Sequence, residues 1–222
     1  MEDYYKAYDE RYKQVYKEDT LWEIDKPTLE VEKYICRYEI DKDSKILEVG
    51  CGEGRDTKYL LDQGYNVIGI DCSKTVIDKC IDRTKYKDNF KVFDIFQDKT
   101  SLQFDFIYSV AVIHMFLLEE HRDKFYRFIY EHLKDRGKAL VISMGDDERE
   151  YASNIDEASM IVQRKNINTG KMIQVVNTSC RIKKYSEMEE EIVRNGFRIV
   201  EGFIVSNVPG FDKCMSFLIE KV

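Results

Sequence analysis

The sequence lacks any excess of basic residues. Its 35 Lys and Arg stand against 42 Asp and Glu, for a formal charge of −7. A chain that grips a nucleic-acid backbone needs a positive face, and no run of Lys or Arg supplies one, so the balance argues against a nucleic-acid partner. Also missing is an apolar run long enough to span a membrane, and the first residues are charged rather than signal-like. The expectation is therefore a cytoplasmic protein without a membrane partner. The six cysteines form no C-x-x-C pair, which argues against a zinc site and leaves reduced thiols and no metal as the reading. What is present, 222 residues of which 43% are apolar, with 12 Phe, suits one domain with a substantial core.

The stretch from Lys45 to Ser73 organises the rest. Ile46, Leu47 and Val49 make a short apolar run, as in a strand buried on both faces. Gly50, Gly52 and Gly54 break it. A helix with Leu60 and Leu61 inward follows, with Gly64 as its stop. Val67, Ile68 and Ile70 form the next strand, which ends at Asp71. Strand, glycine turn, helix, strand and acid make a βαβ unit of the mononucleotide-binding kind. Glycine lets a ligand approach the backbone, and an acid at the second strand end can accept hydrogen bonds from vicinal ribose hydroxyls. The expected ligand contains adenosine.

A dinucleotide fingerprint, G-x-G-x-x-G, places its third glycine one residue later than Gly54, where this chain has Arg55. Acids at Glu48, Glu53 and Asp56 surround the turn, and a pyrophosphate wants a helix N-terminus free of competing negative charge. The Glu48-Val-Gly50-Cys51-Gly52-Glu-Gly54 run resembles motif I of the class I S-adenosylmethionine (SAM)-dependent methyltransferases. Three further matches accompany it. Phe104–Ser109 resembles motif IV. Leu133–Ser143 resembles the family's helix-to-strand join, with Asp135 and Arg136 where proline and a glycine are usual. The Asn195-Gly-Phe197 turn with a final strand hairpin resembles its C-terminus. A Trp22-x-x-x-x-Pro27 segment is similar to the thiol, thiopurine and tellurite-type small-molecule branch, where it closes over bound SAM. The resemblance covers residues 27–144 and 185–222.

It implies a Rossmann-like α/β fold: a seven-stranded mixed sheet, helices on both faces and an antiparallel C-terminal hairpin. It also implies a cofactor site of Glu48, Gly50, Cys51, Gly52, Gly54, Arg55, Asp71, Cys72, Asp94, Ile95, Ser109, Val110 and Trp22. In it Asp94 and Ile95 meet the adenine, Ser109 and Val110 border the methionine part, and the cysteines act as small wall residues rather than nucleophiles. S-adenosylhomocysteine (SAH) would be the product.

Outside that frame, Tyr5, Tyr8, Tyr12, Val15 and Tyr16 fall at helical spacing, either as a helix packed on the domain or as a cap over the pocket, within an N-terminal cap spanning 1–26. Pro27 reads as the opening of a helix, and Ser73 as an N-cap. Glu119–Lys134 reads as a helix finished by Lys134, Arg136 and Gly137. Residues 145–184 are too many for a structureless connection. They contain a hairpin pattern around Asn168-Thr-Gly170 and read as a substrate-lid insertion in a single domain of 1–222. His114, in the loop after the fourth strand, is the candidate general base or acceptor-orienting group, against a buried histidine bonded to backbone. Tyr5, Tyr12, Arg164 and Arg181 are the substrate candidates. The function expected is methyl transfer from SAM to a small-molecule acceptor by a monomer or homodimer. The alternatives are a non-catalytic SAM-binding protein, an NAD-dependent oxidoreductase and an RNA methyltransferase.

Overall fold

The computed structural model describes residues 3–222. Five strands run parallel: β1 (Lys45–Val49), β2 (Asn66–Asp71), β3 (Phe90–Val92), β4 (Phe104–Val110) and β5 (Leu133–Met144). The insertion carries two small pairs, β6 (Tyr151–Ala152) with β9 (Arg181–Ile182), and β7 (Ile161–Lys165) with β8 (Met172–Val176). The terminal hairpin, β10 (Phe197–Val205) and β11 (Cys214–Lys221), enters the main sheet antiparallel. The order β10-β11-β5-β4-β1-β2-β3 completes seven strands, the mixed Rossmann-like sheet that the sequence implied.

The buried strands explain the pattern. Ile46, Phe106, Leu140 and Leu218 fill one face of the sheet, and Leu47, Ile107, Val141 and Phe217 the other, so alternate residues of one strand serve two cores. Six helices complete the chain: α1 (Ala7–Lys17), α2 (Leu29–Arg37), α3 (Arg55–Asp62), α4 (Lys74–Arg83), α5 (Glu119–His132) and α6 (Tyr185–Arg194). Ser73 caps α4 by accepting the Val76 N–H at 3.2 Å. Gly64 and Gly196 follow α3 and α6 at φ +87 and +86, as expected of helix stops.

Three boundary expectations are corrected. Helix α5 ends at His132, and Lys134, Arg136 and Gly137 lie in β5. The reason is tertiary: Leu133 pairs with Phe104 and the Lys134 ammonium sits 2.8 Å from Asp105 of β4, which outweighs the helical periodicity. Pro27 does not open α2. Thr28 is its N-cap position and the helix begins at Leu29, because Asp56 holds the Thr28 N–H at 2.6 Å and its hydroxyl at 2.9 Å. The cap read over 1–26 is helical only from Tyr4 to Lys17, and its first two residues lie outside the described residues. The chain then continues without helix through Trp22 to Pro27.

Strands β1 and β4 are neighbours, and the chain leaves them in opposite directions. That switch point opens a crevice at the carboxyl ends of the strands, where open α/β sheets bind ligands. Helix α1 lies across it and packs against β8.

Candidate functional site

A cavity of about 850 Å³ fills the crevice, within the range of small-molecule sites. Its floor is the glycine turn. Gly52 has φ +51, and a Cβ there would overlap the Glu23 carboxylate and come within 3.1 Å of the Tyr12 hydroxyl; only glycine fits. Asp71 ends β2 half-buried. Its Oδ2 accepts the Gly52 N–H at 3.1 Å and its Oδ1 the Ser73 N–H at 2.8 Å. These bonds aim the carboxylate, and burial still pushes its pKa up to about 6. Asp94 accepts the Tyr5 hydroxyl at 2.9 Å and the Phe96 N–H at 3.0 Å.

The N-terminus of α3 already holds a carboxyl group, that of Glu48, whose pKa burial and the nearby Asp56 push up. Glu48 Oε2 accepts the Thr57 N–H at 2.9 Å, the Thr57 hydroxyl, and the Tyr108 hydroxyl at 3.0 Å. Asp56 and Glu23 stand close by, and burial raises Glu23 to about 7, with Arg55 opposing the shift. A phosphate would meet an occupied helix terminus ringed by acids. A ligand bearing hydroxyl, amine and sulfonium groups meets acceptors instead.

His114 also lines the cavity. It is 4% exposed, its Nδ1 is buried without a hydrogen-bond partner, and its ring stands edge-on to Phe211 at 5.9 Å. Burial first and the Arg122 charge second bring its pKa down to about 4, so the imidazole is neutral at pH 7 and offers a lone pair.

Of the sequence candidates, Tyr5, Tyr12, Trp22, Glu48, Gly50, Cys51, Gly52, Arg55, Asp71, Cys72, Asp94, Ile95, Val110, His114 and Arg164 line this cavity. Gly54, Ser109 and Arg181 do not. Gly54 is a packing glycine at φ +79, and a Cβ there would press on Phe90 and Cys80. Ser109 is fully buried in β4 with its hydroxyl unpartnered; alternation along the strand turns Val110, not Ser109, to the cavity. Arg181 is spent on the Leu117 carbonyl at 2.7 Å and on Glu119 at 2.8 Å. Burial raises the Cys51 and Cys72 thiols, which suits wall residues rather than nucleophiles.

Tyr8, Arg11, Glu23 and Phe211 also line the cavity and were missed. Glu23 arrives through a strap in which the Trp22 and Glu23 N–H groups donate to Glu53 at 3.0 and 2.7 Å. Phe211 comes from the β10–β11 connection, which Arg55 ties down through the Pro209 carbonyl at 3.2 Å. Only the tyrosine spacing around Tyr8 was a usable signal.

The fold and the crevice define a Rossmann-like α/β protein with an acid-lined site at its switch point. Residues 47–139 match the family model of a methyltransferase domain. A probable S-adenosyl-L-methionine-dependent methyltransferase, TehB of Haemophilus influenzae, is 32% identical over 103 residues, 45% of this chain and 35% of that protein. The chain thus spans about a third of that relative's length. A S-adenosylmethionine-dependent methyltransferase from Clostridium acetobutylicum superposes with a TM-score of 0.69 at 14% identity, over 98% of both chains. A 1,6-didemethyltoxoflavin-N1-methyltransferase from Burkholderia thailandensis, crystallised with 1,6-didemethyltoxoflavin and S-adenosylhomocysteine, does so with 0.65 at 15% identity, over 88% of this chain and 78% of that one. Residues 47–139 thus resemble a methyltransferase domain, and the chain has the fold of these solved methyltransferases.

Proposed function

We propose that the chain transfers a methyl group from SAM to a small-molecule acceptor. The observation that carries this is the closed, acid-ringed N-terminus of α3 beside two carboxylates, Asp71 and Asp94, at successive strand ends. That donor set suits a ribose diol, an exocyclic amine and a sulfonium, and it opposes a pyrophosphate. Asp71 would take the ribose hydroxyls, Asp94 and Ile95 the adenine edge, and Glu23 the cationic amino-acid end.

When bound, SAM supplies an electrophilic methyl on its sulfonium. The chain's part is alignment and the exclusion of water. Tyr5, in the 3-10 turn Tyr4–Lys6, and Tyr12 of α1 hold Asp94 and Glu23, so the N-terminal segment closes the cavity while fixing its acids. Residues 145–184 cover the other side as a lid, with Arg164 turned to the acceptor. The neutral His114 imidazole accepts a hydrogen bond from the acceptor's O–H or N–H and orients its lone pair; at a pKa of about 4 it receives the proton only as the acceptor's acidity rises.

Calorimetric titration with SAM, SAH and NAD⁺ tests the reading. Micromolar binding of the first two with none of NAD⁺ is the expected result, and binding of NAD⁺ alone would sink it. The acidity of Asp71 adds a pH signature. Below pH 6 the free protein holds Asp71 protonated, and a diol donating to the carboxylate must expel that proton. SAH affinity is therefore expected to fall about tenfold from pH 7 to pH 5. In Asp71→Asn it should be weaker at pH 7 and less steep with pH, the remaining slope coming from Glu23, which burial raises to about 7. A flat profile in the unaltered protein would place the ribose elsewhere.

A further inference from the structure

Arg11 carries a charge that the chain does not neutralise. It is 6% exposed, lines the cavity, and spends its Nε on the Val176 carbonyl at 3.0 Å. Its guanidinium lies between two aromatic faces, 4.7 Å from the Trp22 ring centre and 5.2 Å from that of Tyr8. Among the described residues no carboxylate forms an ion pair with it. Of the cavity's acids, Glu23 is engaged with Tyr12, Asp71 with the backbone, and Asp94 with Tyr5 and Lys6, while Glu157 is exposed and forms no ion pair with Arg11. A second cation, Arg164, enters the same cavity from β7 and is held by the Asn177 side-chain oxygen at 3.2 Å; it too has no ion pair among the described residues.

Burying a guanidinium without a counter-ion is costly, and the cost is recovered when an anion arrives. The position says which ligand brings it. The 3-10 turn Tyr4–Lys6 sets Tyr5 against Asp94, and α1 sets Tyr12 against Glu23 but turns Arg11 to β8 of the insertion. That is the side of the cavity that the insertion covers. The flanking rings favour a flat partner, and the guanidinium fork a carboxylate.

We propose that Arg11, seconded by Arg164, recognises a carboxylate on the methyl acceptor, so that the substrates are small planar acids. This rests on the methyltransferase reading above. The other carboxylate that could reach Arg11 is that of the cofactor's own amino-acid end, and the test separates the two.

Trp22 is the only tryptophan of the chain and stacks on Arg11, so its fluorescence reports on this spot. With SAH saturating, sodium benzoate is titrated against benzamide, its uncharged analogue. Benzoate should give a saturable change at about tenfold or more lower concentration than benzamide. Arg11→Gln should abolish that preference, Arg11→Lys should keep part of it, and both variants should bind SAH as the unaltered protein does. Equal titration by the two probes overturns the proposal, as does a preference that survives Arg11→Gln. A loss of SAH affinity of about tenfold or more in a folded Arg11→Gln also overturns it, since Arg11 then serves the cofactor. Should Arg11→Gln fail to fold, the benzoate–benzamide pair and Arg11→Lys decide the matter. Failure of the unaltered protein to bind SAH would sink the methyltransferase reading instead, and the same benzoate preference would still decide whether Arg11 holds an anion.

Discussion

Replacing Arg122 with methionine will lower the unfolding free energy by about 3 kcal/mol and will weaken the site with it. Arg122 and Glu191 are both fully buried. The guanidinium Nε donates to both Glu191 oxygens at 3.1 and 2.9 Å. Its Nη1 donates to the Ile113 carbonyl at 2.8 Å and the Phe116 carbonyl at 3.4 Å. Methionine fills much of the volume but leaves Glu191 without its main partner and the Phe116 carbonyl bare, while the Ile113 carbonyl keeps only the Phe116 N–H at 3.1 Å. Lys183, 2.7 Å from Glu191, retains part of the pairing, which keeps the loss at the lower end for a broken buried ion pair. Denaturant unfolding measures the change. Adding Glu191→Met to Arg122→Met should recover much of it, because an apolar pair leaves no buried charge behind. If the double variant were no more stable than the single one, the carbonyl contacts rather than the ion pair would carry the effect. Those carbonyls flank His114, so Arg122→Met should also lower turnover more than it lowers SAH affinity.

The second large effect is expected at His114 itself. His114→Ala should reduce methyl transfer by about a hundredfold, the lower end for a positioned proton acceptor, while SAH affinity stays within about threefold. The argument is one of placement. The ring lines the cavity, its Nδ1 has no partner among the described residues, and Phe211 packs edge-on against it. A buried imidazole kept only for packing would find a backbone acceptor. In the unaltered enzyme the acid limb of the turnover profile should lie near pH 4 for this group, because burial favours the neutral form down to that value. Single-turnover kinetics separate this from cofactor binding. Equal losses in turnover and in SAH affinity would make His114 structural.

Much of the cofactor half of the site was legible in the chain. The run from Glu48 to Asp71 is one local unit, and its elements, turn and terminal acid all follow from periodicity and from residues a few positions apart. The same holds for Asp94, placed by the short strand before it. The misses have a common cause. Ser109 was assigned by its position after a strand, but pleating sent Val110 to the cavity. Lys134 and Arg136 continue a helical pattern, and strand pairing to Phe104 overrode it. Arg181 looks like a free cation in sequence, yet Glu119 and the Leu117 carbonyl consume it.

By itself, then, the sequence determined the parallel sheet, the glycine turn and the ring of acids, because β-strand and helix periods and the conformational freedom of glycine are properties of neighbouring residues. It also determined that the site would favour a cationic, phosphate-free ligand, since Glu48, Glu53 and Asp56 lie within a few residues of the turn. The tertiary structure alone decided the rest of the cavity wall. Arg11 meets Val176 across 165 positions, Arg122 meets Glu191 across 69, and Arg55 meets Pro209 across 154. No local period encodes such pairings. They exist because the switch point of the sheet leaves one crevice, and α1, the insertion and the β10–β11 connection all bury their inner faces against it.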